Sequence, residues 1–129
     1  MNKILVEVSV GELLDKISIL EIKMGKIKDP VKLNFINAEY YILKEQLDKN
    51  VPSNDKLNSL YQTLKEINAK LWVIEDDKRL CEKNSSFTEN FIKLSRDVHF
   101  LNDNRAKIKL ELNDHTGSKI KEIKEYTSY

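Results

Sequence analysis

Apolar side chains recur every three or four residues in four successive segments of the chain, which is the period of an α-helix. Of the three glycines and two prolines, only Gly25 lies inside such a segment. The other four lie at boundaries of the segments. The pattern therefore predicts an all-α protein. The predicted helices cover residues 10–28, 30–49, 54–84 and 87–115.

The residues at two of the segment boundaries match known helix-capping patterns. Ser9 and Glu12 have the spacing of a capping box, in which the hydroxyl group and the carboxylate each accept from a free backbone N–H group. Asp29 followed by Pro30 combines an N-cap residue with a favoured first helical residue. These signals predict where the first and second helices begin.

The four predicted helices differ in length, which affects how they can pack. The third and fourth are about 45 Å long, whereas the first and second are about 28 Å long. We predict a single domain over residues 1–129, with two antiparallel hairpins in an arrangement like a four-helix bundle. The longer hairpin projects beyond the shorter one with its apolar seam exposed. The helices are expected to pack as an antiparallel coiled coil. Either a C-terminal helix or a second copy of the chain is expected to cover the exposed seam, and we favour a homodimer.

Each end of the chain carries a further predicted element. Residues 3–8 alternate apolar and polar side chains, which predicts a short β-strand. No other segment has this pattern, so the strand is expected to pair with its copy in a dimer or to lie along the bundle. Residues 118–126, which follow Gly117, are predicted to form a short helix.

Charge and composition disfavour several classes of protein. The 129 residues include 22 Lys and Arg against 21 Asp and Glu, a formal net charge of +1, which argues against nucleic-acid binding driven by phosphate neutralisation. No apolar run approaches the roughly 20 residues that cross a bilayer. The N-terminus lacks the apolar core of a signal peptide, and the single cysteine excludes an internal disulfide. We therefore expect a cytoplasmic protein without membrane contact.

A polar layer is predicted within the apolar seam of the long hairpin. Arg105 occupies a seam position between two apolar residues, so at least its stem should be buried. A hairpin that turns near residue 85 brings Asn68 close to Asn102. The predicted layer consists of Asn68, Asn102, Asp103 and Arg105.

Two interpretations of this layer are open. As a structural feature, it would fix the register of the helices or leave the head of Arg105 in water. As a functional feature, it would form an anion pocket, since the planar guanidinium group of Arg105 suits a carboxylate or a phosphate. Asn102 would then act as an orienting donor.

The most densely charged segment covers residues 75–79. Glu75 and Arg79 share a helix face, which is typical of a solvent-exposed ion pair between residues i and i+4. In the functional interpretation, Arg79 supplies a second cation to the ligand site. Glu75 or Asp76 would then be the candidate general acid or base.

Metal, cofactor and nucleophile chemistry have little support in the sequence. Glu12 and Asp15 lie on one helix face, but acidic residues in a first turn are explained by the helix dipole. Cys81 falls on an apolar stripe and is expected to be a small core residue. We therefore predict no metal site and no cofactor.

Three short motifs form a combination that is specific when they are taken together. They are Gly-Glu-Leu-Leu-Asp-Lys-Ile at 11–17, Leu-Trp-Val-Ile-Glu-Asp at 71–76 and Asn-Asp-Asn-Arg at 102–105. On these motifs the chain resembles, over nearly its whole length, a family of short, uncharacterised bacterial and phage helical proteins. The resemblance implies a set of residues but no activity. That set is Glu12, Asp15, Lys16, Glu21, Trp72, Glu75, Asp76, Arg79, Asn102, Asp103 and Arg105.

Two functions are compatible with these features. The first is a self-associating module that also binds another protein, which is suggested by the mismatch in helix length, the unpaired strand and the near-neutral charge. The alternative is a small all-helical enzyme or ligand-binding protein that holds an anionic metabolite near Arg79, Asn102 and Arg105. An exposed apolar surface of several hundred Å² would favour the first.

Overall fold

The protein consists of four α-helices, which we describe from a computed structural model over residues 2–129. The helices are α1 (Val10–Lys26), α2 (Pro30–Asn50), α3 (Asp55–Lys83) and α4 (Glu89–Thr116). The described residues form no β-strand. The prediction of an all-α protein with four main helices is confirmed, and the arrangement is consistent with a helical bundle.

At the start of α1 and of α2, an N-cap side chain accepts a hydrogen bond from a backbone N–H group that has no partner within the helix. The hydroxyl of Ser9 accepts from the N–H of Glu12 at 3.1 Å, and Asp29 accepts from the N–H of Val31 at 3.0 Å. α4 ends at Gly117, whose φ of 68° lies in the left-handed region that favours glycine. The N-cap signals read from the sequence are therefore used at the first two helices.

The prediction of a β-strand over residues 3–8 is wrong. Residues 2–9 form no regular secondary structure, and Ile4 and Leu5 are 86% and 89% exposed. A strand needs a neighbour to receive its backbone hydrogen bonds, and the described part of the chain offers none. The alternating pattern is therefore present without the structure that it usually indicates.

The prediction of a short helix over residues 118–126 is also wrong. This tail has no helix and runs back along α4, where Lys121 pairs with Asp114 at 2.6 Å and Glu122 pairs with Lys109 at 3.1 Å. A helix of nine residues is too short to repay the cost of nucleation without burying an apolar face. Ile123 remains 80% exposed, so no such face is buried.

α1 is the central helix, because it packs against each of the other three. α3 and α4 form the most extensive pair, and α2 lies on the outer side of α1. The buried apolar core joins residues of all four helices. It consists of Leu14, Ile17, Leu47, Leu57, Leu64 and Leu112.

The long helices project beyond α1. α3 and α4 have 29 and 28 residues, compared with 17 in α1 and 21 in α2. Near the tip of the hairpin, Lys78 lies 6.0 Å from the ring centre of Phe91, and at the other end His115 contacts Asn54 at 3.0 Å. No helix of residues 2–129 has the length and apolarity to cross a membrane.

The backbones of α1 and α4 approach closely at Gly11. Its N–H donates to the side-chain oxygen of Asn113 at 2.7 Å. A Cβ atom at this position would lie 2.5 Å from the carbonyl oxygen of Lys109. Gly25, in the last turn of the same helix, has open space at the corresponding position.

We therefore predict opposite effects for the same substitution at the two glycines of α1. Gly11→Ala should lower the free energy of unfolding by about 1–3 kcal/mol, because the added methyl group forces two backbones apart. Gly25→Ala should raise it by about 0.5–1 kcal/mol, because alanine has the higher helix propensity. Urea denaturation of both variants measures the difference, and equal effects would contradict the close approach at Gly11.

Candidate functional site

The most deeply buried charge of the protein is the carboxylate of Asp15, which is 2% exposed. Nε of Arg105 donates to its Oδ1 at 2.9 Å, and Nη2 of Arg105 donates to its Oδ2 at 2.5 Å. This two-point contact matches the fork of the guanidinium group to the carboxylate. The hydrogen bond to Asp15 raises the pKa of Arg105, against the opposing effect of burial.

Asn68 connects α3 to the same carboxylate. Its side-chain amide donates to Oδ1 of Asp15 at 2.9 Å and to the hydroxyl of Ser18 at 2.8 Å. Ser18 in turn donates to the backbone carbonyl of Asp15 at 2.7 Å. Among the described residues, no buried side-chain nitrogen or oxygen lacks a hydrogen-bond partner, so this network is complete within the chain.

Lys109 extends the network towards solvent. Its ammonium group lies 2.7 Å from Glu12, 3.1 Å from Glu122 and 3.9 Å from Asp15. Burial lowers the pKa of Lys109, but hydrogen bonds to Glu12 and Glu122 outweigh that effect and the net shift is upward. Hydrogen bonds from Lys109 and then Lys124 lower the pKa of Glu122.

The structure brings together part of the predicted polar layer. Asn68 and Arg105 meet through Asp15, and Asn102 accepts from Nη1 of Arg105 at 3.5 Å. Asp103 lies apart from them on the exposed side of α4, where its carboxylate accepts from the hydroxyl of Tyr129. The layer is therefore centred on a residue of α1 that was not predicted to belong to it.

A groove of about 320 Å³ lies between the C-terminal half of α1 and α3. Several of the residues that the sequence singles out line it together. The lining residues are Ile19, Ile22, Asn68, Leu71, Trp72, Glu75, Asp76, Arg79 and Arg105. Its lining thus combines apolar side chains and Trp72 with four charged residues.

The charges of this groove are not all compensated within the chain. Arg105 is neutralised by Asp15, whereas Arg79 forms no ion pair with any of residues 2–129. The expected ion pair between Glu75 and Arg79 is absent from the same residues. Arg79 is therefore the cation of the groove without an ion partner among residues 2–129, and Glu75 and Asp76 beside it are unpaired in the same way.

A second, more polar groove of about 210 Å³ lies on the other side of Arg105. The C-terminal tail forms one of its walls. Its lining residues are Glu12, Asn102, Arg105, Ala106, Lys109, Glu122 and Lys124. Each ionisable group of this groove has an ion partner within the chain, so its charges are largely compensated.

Asp15 was not predicted as the partner of Arg105, because an acidic residue in a first helical turn is explained by the helix dipole. A signal was present in the spacing, because Gly11, Asp15, Ser18 and Ile22 follow one another at intervals of four, three and four residues. All four are buried on one side of α1. Small and polar residues at these intervals indicate a helix face that approaches another helix closely through polar contacts. Residues 2–129 contain no group of three His, Cys, Asp or Glu side chains placed to hold a metal ion.

We predict that Arg105→Met lowers the free energy of unfolding by about 3 kcal/mol or more, because the substitution leaves the carboxylate of Asp15 buried without its cation. The double variant Asp15→Leu with Arg105→Met should recover most of this loss, because no unpaired charge remains. Chemical denaturation of the single and double variants measures both effects.

A stability of Arg105→Met equal to that of the unmodified protein would contradict a structural role for the ion pair. A double variant no more stable than Arg105→Met would show that the loss has a cause other than the stranded carboxylate. Lys65→Met is a suitable control, because Lys65 pairs with Glu21 at 3.1 Å and both side chains are about 30% exposed. Its loss should be within about 1 kcal/mol.

The comparisons with known proteins identify a family without assigning an activity. No curated protein matches the chain significantly, and neither does any solved structure. One family model matches residues 4–129, which is nearly the whole chain and includes both grooves and the Asp15 network. The chain therefore belongs to DUF6165, a family of unknown function.

Proposed function

We propose that this protein is a helical interaction module that self-associates and uses its remaining apolar surface to bind another protein. The observation that carries this proposal is the amount of surface that a single copy exposes. The accessible area is 9561 Å², whereas a compact monomer of 15.1 kDa exposes about 7,100 Å². A specific interface buries about 800 Å² on each partner. The excess area is larger than this, and residues 2–9 and 118–129, which lie outside the helices, contribute to it.

The exposed apolar side chains are concentrated in the C-terminal tail, where Ile123 is 80% exposed, and in three other regions. One region is the N-terminal segment, and the second is the outer face of α2. The third is the part of the long hairpin that α1 leaves uncovered, where Val73 of α3 and Phe100 of α4 are 48% and 40% exposed. A groove of about 610 Å³ lies there, lined mainly by apolar side chains.

The state of Arg105 also favours protein binding over the anion pocket. A guanidinium group that already makes two contacts with Asp15 has little attraction left for a carboxylate or a phosphate. Releasing it would strand a carboxylate that is 2% exposed, which is a large cost. An anionic ligand at Arg105 would have to repay that cost before it gained any affinity.

We expect sedimentation equilibrium of the unmodified protein to give a mass close to twice 15.1 kDa at micromolar concentration, because a second copy covers part of the exposed apolar surface. Runs at several concentrations separate a dimer from larger assemblies. A single species of 15.1 kDa at the highest soluble concentration would contradict self-association.

A second candidate function rests on the groove beside Trp72. Arg79 has an available charge there, and Trp72 offers an aromatic wall next to it. Arg79 could hold the carboxylate or phosphate of a small ligand while an apolar or aromatic part of that ligand packs on Trp72. In this candidate function, the anionic group of the ligand pairs with Arg79 and not with Arg105. Arg105 and Asn68 line the same groove and support it.

This candidate predicts a ligand-dependent rise in melting temperature that requires Arg79. A panel of nucleotides, sugar phosphates and dicarboxylates should contain a compound that raises it by several degrees at about 100 times its dissociation constant. The rise should disappear in Arg79→Ala and persist in Lys83→Ala, a control on the same helix outside the groove. A rise of equal size in both variants, or none with the unmodified protein, would contradict the candidate.

A further inference from the structure

α2 carries apolar residues on two opposite faces, which distinguishes it from an ordinary amphipathic helix. The inner face packs towards α1, and the outer face is a second stripe with spacings of four, three and four residues. The inner residues are Leu33, Ile36, Tyr40, Leu43 and Leu47. The outer residues, which we call the outer stripe, are Val31, Phe35, Ala38 and Ile42.

No part of the described chain covers the outer stripe. Val31, Phe35 and Ile42 are 64%, 75% and 61% exposed, and Ala38 is exposed as well. A single exposed apolar residue needs no explanation, but four at helical spacing on one side of a helix form a continuous patch about three turns long. Such a stripe is typical of a helix that packs against another helix.

We infer that the outer stripe pairs with the outer stripe of a second copy, with the two α2 helices antiparallel. This inference rests on the proposed function and specifies the surface by which the module self-associates. The two copies of α2 are related by a two-fold axis that passes near the middle of the outer stripe, between Phe35 and Ala38. A contact of this kind uses the same patch on both copies and closes after two of them.

The side-chain sizes along the stripe are complementary in this antiparallel register. Phe35 faces Ala38 of the second copy, so a large ring fits against the smallest apolar side chain, and this happens twice about the axis. Val31 faces Ile42 of the second copy, again twice. In a parallel register, Phe35 would face Phe35 and Ala38 would face Ala38, which leaves one layer crowded and the next one empty.

The charges beside the stripe are complementary in the same register. Lys32 and Glu39 flank the stripe on one side, are both exposed, and form no ion pair with any of residues 2–129. Other charges of α2 already have partners, such as Lys44 with Asp48 at 3.1 Å. Antiparallel pairing brings Lys32 close to Glu39 of the second copy, twice per dimer.

The first test introduces a charge into the outer stripe and, separately, into the exposed apolar surface of the long hairpin. Phe35→Glu should convert the dimer to a monomer at concentrations where the unmodified protein is dimeric, with at least a hundredfold weaker dimerisation, because a carboxylate is placed in the apolar contact. Leu80→Glu, near the tip of the long hairpin, is the matched control, since Leu80 is 53% exposed. Sedimentation equilibrium measures the dissociation constant, and circular dichroism verifies that both variants retain the helices.

The outcomes separate the inference from the proposed function. A dimer that persists in Phe35→Glu but is lost in Leu80→Glu would overturn the inference and leave self-association in place, through the long hairpin. A monomeric unmodified protein would overturn both. Loss of the dimer in Phe35→Glu alone supports the outer stripe as the contact.

A charge exchange tests the antiparallel register separately. Lys32→Glu and Glu39→Lys should each weaken dimerisation severalfold at low salt, because like charges then face each other across the two-fold axis. The double variant, which exchanges the two charges, should restore the original dissociation constant. If the double variant is as weak as the single ones, the antiparallel register is wrong.

Discussion

A buried carboxylate must find a cation and hydrogen-bond donors inside the protein, and at Asp15 this requirement determines how the helices meet. The carboxylate belongs to α1, its cation Arg105 to α4, and its amide donor Asn68 to α3. A shift of α1 by one helical turn along the hairpin would separate the carboxylate from both partners and leave it desolvated. The apolar contacts of the core tolerate such shifts far better, because they are not directional. The Asp15 network therefore selects one docking position among several that hydrophobic burial alone would allow.

This docking position has consequences for the rest of the chain. Gly11 lies against the backbone of α4 because the same face of α1 that carries Asp15 must approach closely enough for Arg105 to reach it. α2 follows α1 after a link of three residues and packs on α1, and only the inner face of α2 reaches the shared core through Leu47. The outer stripe of α2 and the tip of the hairpin are then left uncovered. The apolar surface available to a partner is thus a consequence of where α1 docks, and not a property of each helix by itself.

The helices could be predicted from the sequence because their signals are local: apolar spacing, N-cap residues and the position of Gly117 all act within a few residues. The strand over 3–8 and the helix over 118–126 failed for a different reason, since each needs a surface to pack on that the rest of the chain does not supply. Arg105 and Asn68 could be predicted as members of a polar layer because the hairpin register places them on the same seam. Asp15 could not be paired with them, since nothing local indicates which helix the polar face of α1 meets. The spacing of Gly11, Asp15 and Ser18 gives a hint, but only the tertiary arrangement identifies their partners.

The charged residues of this protein are of two physical kinds. Asp15 and Arg105 satisfy each other inside the chain, so their role is to hold the architecture together. Arg79 lines a groove and forms no ion pair with any of residues 2–129. Lys32 and Glu39, which flank the outer stripe of α2, form no ion pair with these residues either. A charge left without an internal partner loses little solvation at an exposed site and stays available to a second molecule. Function in this protein is therefore to be sought where the internal network ends, at surfaces that combine exposed apolar area with unpaired charge.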